Sequence, residues 1–100
     1  MIARVWRATA AHPGQYRRVF EEEVLHDLQE VPGFRGAYLL ADGPELVTLT
    51  LFDSMAAVRR FAGDGYEHEH VTPAARATLL RSDPAVRHYE VLAQADGPGG

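Results

Sequence analysis

The chain has no cysteine. That excludes disulfides and thiolate metal sites, and it permits a reducing compartment. No apolar run is long enough to span a bilayer, so no membrane association is expected. The start, Met1-Ile2-Ala3-Arg4-Val5-Trp6, lacks the basic region and apolar core of a secretory signal, and a cytoplasmic location is the expectation. Positive charge is also scarce. The formal net charge is -4, and the only arginine pairs, Arg17-Arg18 and Arg59-Arg60, are interleaved with acidic residues. Binding nucleic acid needs a basic face, so no nucleic-acid partner is expected. There is no glycine-rich phosphate loop and no serine or cysteine nucleophile motif.

What is present is an ordinary apolar fraction, 46% of 100 residues. This suits one folded domain over residues 1–94, followed by a Gly/Pro-rich tail at 95–100 that is expected to fray. A domain of this size buries only about two-thirds of its unfolded surface, so a partner that adds buried area would help it.

The clearest local signal runs from Leu46 to Gly65. Val47, Leu49 and Leu51 recur with period two, then Met55, Val58, Phe61 and Ala62 recur with helical spacing. Asp53 is expected to cap the new helix through its carboxylate. Upstream, Ile2 to Ala8 reads as a strand and His12-Pro13-Gly14 as a turn. Tyr16, Val19, Phe20, Val24, Leu28 and Val31 form one stripe of a helix beginning at Gln15 and ended by Pro32-Gly33. Phe34 to Leu40 is a second strand, and Ala41-Asp42-Gly43-Pro44 turns the chain back as a hairpin. Thr72-Pro73 opens a short helix, Ser82-Asp83-Pro84 is a turn, and Val86 to Ala93 is the closing strand.

The order is β-α-β-β-α-β, an α+β chain of the ferredoxin-like type: a four-stranded antiparallel sheet with its two main helices on one face. The third strand is apolar on both faces, and helices cover only one. The other face would be a large exposed apolar patch in a monomer, which predicts a symmetric homodimer packed sheet to sheet. Periodicity leaves open which strand face meets the partner.

Thr50-Leu51-Phe52-Asp53-Ser54-Met55-Ala56-Ala57-Val58-Arg59-Arg60-Phe61-Ala62-Gly63 resembles the strand-then-helix signature of the antibiotic biosynthesis monooxygenase family, in the dimeric α+β barrel superfamily. Val31-Pro32-Gly33-Phe34-Arg35-Gly36 is similar to that family's helix-ending turn, and His88-Tyr89-Glu90-Val91 to a closing strand of one branch. The resemblance spans roughly residues 1 to 93. It departs where Phe52 replaces the signature tryptophan. It implies a ligand cavity between sheet and helices, and an oxygenase that acts on an aromatic polyketide-like molecule without metal or flavin. Related members imply alternatives: a polyketide cyclase, a haem-binding or haem-degrading protein, or a non-catalytic small-molecule-binding dimer. The haem degraders use an asparagine on the first strand, and this chain has no asparagine.

An oxygenase of this type needs apolar walls, a base that is neutral near pH 7, and a donor that steadies an anion. His88, mid-strand in the closing strand, is the expected catalytic base, because burial keeps an imidazole neutral. Trp6 and Arg4 share a face of the first strand. Trp6 is expected to wall the ligand and donate from its indole N–H, and Arg4 to hold a phenolate or carboxylate. Tyr16, on the inner helix stripe, is a further substrate-binding candidate, since a buried hydroxyl needs a partner. In Tyr66-Glu67-His68-Glu69-His70, an extended backbone puts His68 and His70 on one side. Two histidines do not close a metal site, and a third ligand would have to come from His26, His88 or a carboxylate, so no metal is expected. The segment reads instead as a polar loop at the cavity mouth. There Tyr66, His68 and His70 touch the ligand, and Gly63 and Gly65 let it move as a lid.

Overall fold

The structure is a computed structural model that describes residues 1–98; the last two residues of the expected tail lie outside them. Five strands form one sheet. They are β1 (Ile2–Thr9), β2 (Phe34–Asp42), β3 (Glu45–Phe52), β4 (Arg81–Ser82) and β5 (Arg87–Glu90). The order is β2-β3-β1, with both β4 and β5 paired to the far edge of β1, and every pairing is antiparallel. The expected four-strand sheet is therefore present with one addition. The closing strand is shorter than 86–93, and a two-residue strand precedes it. Pro84 lies between the two pieces and has no N–H to give a ladder, so the edge breaks there.

The first helical region comprises α1 (Pro13–Val19), a π-helical stretch at Phe20–Val24, and α2 (Leu25–Gln29). It starts at Pro13, earlier than Gln15, because proline's missing N–H costs nothing in the first helical turn. The second helix is α3 (Met55–Ala62), and a short α4 (Pro73–Arg76) follows the polar loop. Thr72 caps α4, its hydroxyl accepting from the Ala75 N–H at 3.2 Å.

The expected cap of α3 is corrected. Ser54, not Asp53, is the N-cap, and its Oγ accepts from the Ala57 N–H at 3.3 Å. The capping oxygen belongs to the residue immediately before the first helical one, and that residue is Ser54. Asp53 instead pairs with Arg35 at 2.9 Å.

The core has two lobes beneath the sheet. One gathers Trp6, Tyr16, Phe20, Leu46 and Val86, and the other Leu28, Phe52, Ala57 and Val58. Each fully buried aliphatic or aromatic side chain in them contributes about 1.5–3 kcal/mol. Gly33 joins the second lobe to the helix-ending turn. Its φ is +94°, and an added Cβ would sit 2.8 Å from the Ala57 Cβ.

The period-two pattern of β3 sorts cleanly. Leu46, Thr48, Thr50 and Phe52 are buried toward the helices, and Val47, Leu49 and Leu51 are half-buried on the helix-free face. Cross-strand pairing brings Tyr38 and Val5 beside Leu49, Leu40 beside Val47, and Tyr89 beside Ala3 on that same face. Tyr38, Leu40 and Tyr89 are exposed there. No described helix is long and apolar enough to cross a membrane.

Candidate functional site

A cavity lies where the two core lobes meet under the sheet. Arg4 and Trp6 from β1, Thr48 and Thr50 from β3, and Tyr16, Phe20 and Val24 from the first helical region form most of its wall. Phe61, His70 and Val86 complete it. Alternation along β1 and β3 aims the strand residues inward. The π-helical stretch carries both Phe20 and Val24. A π turn widens the helix locally and reorients its side chains, and such turns recur at functional sites. Nothing in the apolar periodicity marks it, and sequence reasoning missed it, as it missed the contributions of Thr48, Thr50, Phe61 and Val86.

Three aromatic rings line one end. Trp6 and Tyr16 lie 6.2 Å apart by centroid, and Tyr16 and Phe20 6.3 Å, all tilted. Burial pushes the Tyr16 hydroxyl up to about 12, so it stays protonated as a donor. The Trp6 expectation needs one correction. Its indole N–H donates to the Asp83 carbonyl at 2.7 Å. The ring therefore serves as wall, and its N–H holds the β4–β5 connection in place.

Arg4 is the unusual member. Its side chain is 6% exposed, in a place where charge is normally paired. Nη1 donates to the Tyr66 carbonyl at 2.6 Å and lies 3.0 Å from His88 Nε2, while Nη2 donates to the His68 carbonyl at 3.4 Å. Its guanidinium carbon also stands 6.0 Å from the Phe61 ring centroid. Among the described residues no carboxylate pairs with it. Burial alone lowers its pKa to about 10, so it remains a cation at neutral pH.

His88 is half-buried and faces Arg4 directly across the β1–β5 ladder. Burial holds its imidazole below the usual value, the Arg4 charge lowers it further, and Glu67 partly opposes both. Its Nε2 lone pair receives the Arg4 N–H, which fixes the neutral ring with its proton on Nδ1. His88 does not itself line the cavity and reaches it through Arg4.

The polar loop meets the cavity wall through His70 and holds Arg4 through the Tyr66 and His68 carbonyls. Tyr66 is half-buried, with its ring edge-on to His88 at 5.7 Å and the Arg59 guanidinium 5.3 Å from its centroid. His70 stands edge-on to Phe61 at 5.1 Å and lines the cavity. His68 is exposed; it contributes its backbone, which bridges to Ala85 and accepts from Arg4. The fold thus gathers Arg4, Trp6, Tyr16 and His70 around one space. It sets His88 and Tyr66 behind Arg4, and leaves the His68 side chain outside. Among the described residues no three His, Asp or Glu side chains converge as a metal cage.

The free space is small, about 40 Å³. That holds a few waters, whereas small-molecule sites run to roughly 300–1,000 Å³. A ring-sized ligand enters only if a wall moves.

The ferredoxin-like α+β fold is shared with solved structures of antibiotic biosynthesis monooxygenases. The chain is similar in fold to SnoaB, a cofactor-independent oxygenase from Streptomyces nogalater, with 23% identity, 97% of this chain and 96% of that one covered, and a TM-score of 0.67. ActVA-Orf6, a monooxygenase from Streptomyces coelicolor solved with nanaomycin D, is 20% identical over 97% and 91% of the two chains, with a TM-score of 0.59. The haem degrader MhuD from Mycobacterium tuberculosis, solved with two haems in its active site, is 14% identical over 96% and 100%, with a TM-score of 0.59. No family model and no curated protein sequence matches. A haem does not fit the space beside Arg4 as it stands, since about 40 Å³ is far below the volume of a porphyrin.

Proposed function

We propose that the chain is a cofactor-independent monooxygenase, working as a cytoplasmic homodimer on a flat aromatic, polyketide-like small molecule. The observation that carries this reading is a chamber walled by Trp6, Tyr16, Phe20 and Phe61, with a buried guanidinium held 3.0 Å from a neutral imidazole. The likeness in fold to SnoaB and ActVA-Orf6 supports it. Trp6 and Tyr16 bind the ligand's rings. Arg4 and His70 meet its polar edge, and Tyr66 and His68 shape the mouth. The 63–70 segment, hinged at Gly63 and Gly65, swings out to admit a ring system.

His88 is the base. A ligand oxygen or acidic carbon set against Arg4 draws the Nη1 N–H away from His88 Nε2, and the freed lone pair accepts the ligand's proton. The resulting anion passes an electron to dioxygen, and the radical pair joins as a peroxide at the ring carbon. Loss of water then leaves a carbonyl. For a substrate CH2, one oxygen atom ends in the product. The other leaves as water with both hydrogens, one of them returned by His88.

The helix-free face of Tyr38, Leu40, Leu49 and Tyr89 is the dimer surface, where a second copy buries what the helices leave bare. The test of the reaction is dioxygen uptake on adding an anthrone, with no metal or flavin present. One dioxygen per anthrone converted supports the oxygenase. Conversion by ring closure without uptake assigns a cyclase, and no conversion above the uncatalysed rate removes both readings.

A further inference from the structure

A buried cation without a carboxylate is expensive, and proteins keep one where something else supplies the negative charge. Arg4 is such a cation. It is 6% exposed, and it gives three of its five N–H groups to two backbone carbonyls and a neutral imidazole. These are dipoles, not charges. The cavity it lines is otherwise walled by aromatic and aliphatic side chains, two threonines and His70.

The geometry points to an anion-selective site: the cavity takes its ligand as an oxyanion, a phenolate, enolate or carboxylate, which becomes the counter-ion of Arg4. This rests on the cavity being the ligand site and is independent of the oxygen chemistry. Pairing inside a low-dielectric wall is stronger than in water, so the site lowers the pKa of a bound phenol. The same event opens the mouth. An oxyanion on the N–H groups left free draws the guanidinium toward the cavity and away from the Tyr66 and His68 carbonyls, whose bonds to it are the side-chain tethers between β1 and the loop. The loop's other ties include two to the β4–β5 connection, from Glu69 N–H to the Pro84 carbonyl and from Val86 N–H to the Glu67 carbonyl, and the pair of Glu69 with Arg76 on α4. The loop then turns between its Gly63–Gly65 hinge and these ties while it leaves Arg4. Ligand charge and ligand access are coupled through one side chain.

The test uses two chromophores of similar shape, 4-nitrophenol and its neutral ether 4-nitroanisole, titrated into the full chain and followed by absorbance. The expected result is binding of 4-nitrophenolate at least tenfold tighter than the ether, with the bound phenol ionising at least one pH unit lower than the free one. Hydrogen exchange of the 63–70 amides should quicken with the phenolate and not with the ether. Arg4→Gln should erase the preference while still binding the ether, and Arg4→Lys should keep part of it. Equal affinities with unshifted ionisation in the unaltered chain overturn the proposal, whatever the variants do. Failure of both probes to bind overturns it together with the reading of the cavity as the ligand site. Anion preference without dioxygen uptake supports it and overturns only the oxygenase.

Discussion

Arg4 and His88 face one another across the β1–β5 ladder, Nη1 to Nε2 at 3.0 Å. The contact requires an uncharged imidazole, because a protonated ring has no lone pair to offer and would repel the guanidinium. The folded His88 pKa lies below the unfolded value of about 6.5. A group depressed on folding contributes stability that is whole above its unfolded pKa and is lost as pH falls through the folded one. The melting temperature should therefore fall as pH drops from 7 toward 5, and His88→Gln should flatten part of that slope. An identical slope in the variant would remove His88 as a source of it.

If His88 is the base, His88→Ala should lower turnover by about 10²–10⁴-fold, the usual worth of a positioned general base. The KM should change far less, since the ligand's rings rest on Trp6 and Tyr16. Turnover within a factor of two of the unaltered protein would take His88 out of the reaction.

The capping correction is directly measurable. Ser54→Ala should cost about 0.5–2 kcal/mol by denaturant unfolding. Asp53→Ala should cost less than about 1 kcal/mol, because it removes one exposed pair with Arg35. The reverse order would restore Asp53 as the cap.

Gly33→Ala should destabilise by more than about 1 kcal/mol, since it adds a positive-φ penalty to a methyl 2.8 Å from the Ala57 Cβ. Leu28→Ala, in the same lobe and fully buried, should cost about 2–5 kcal/mol. Neutral effects at both would mean that this lobe is not packed as described.

Tyr38→Glu places a charge on the exposed helix-free face beside Leu49. It should turn a homodimer into a monomer in analytical ultracentrifugation at micromolar concentration. An unaltered chain that already sediments as a monomer would refute the sheet-to-sheet pair.

The layers of the fold were legible because they rest on periodicity. The two-residue rhythm of Val47, Leu49 and Leu51 and the helical spacing of Met55, Val58 and Phe61 each mark a buried face, and burial is what such patterns encode. The features that position the site rest on the backbone, which side-chain patterns do not report. The acceptor that occupies the Trp6 indole is the Asp83 carbonyl, and two of the groups that hold Arg4 are the Tyr66 and His68 carbonyls. The π turn at Phe20–Val24 is likewise a matter of main-chain bonding. The pairing of Arg4 with His88 links residues 84 positions apart, so it emerges only once β5 is laid against β1.

Trp6 is the chain's one tryptophan, and it lies in the cavity wall two residues from Arg4. Its fluorescence during titration with an anthrone under nitrogen, where no turnover occurs, reports on the chamber itself. Binding there predicts a saturable change in emission that weakens at least tenfold in Arg4→Gln. Emission that does not saturate, or an affinity untouched by that substitution, would contradict a ligand held against Arg4 beneath the sheet.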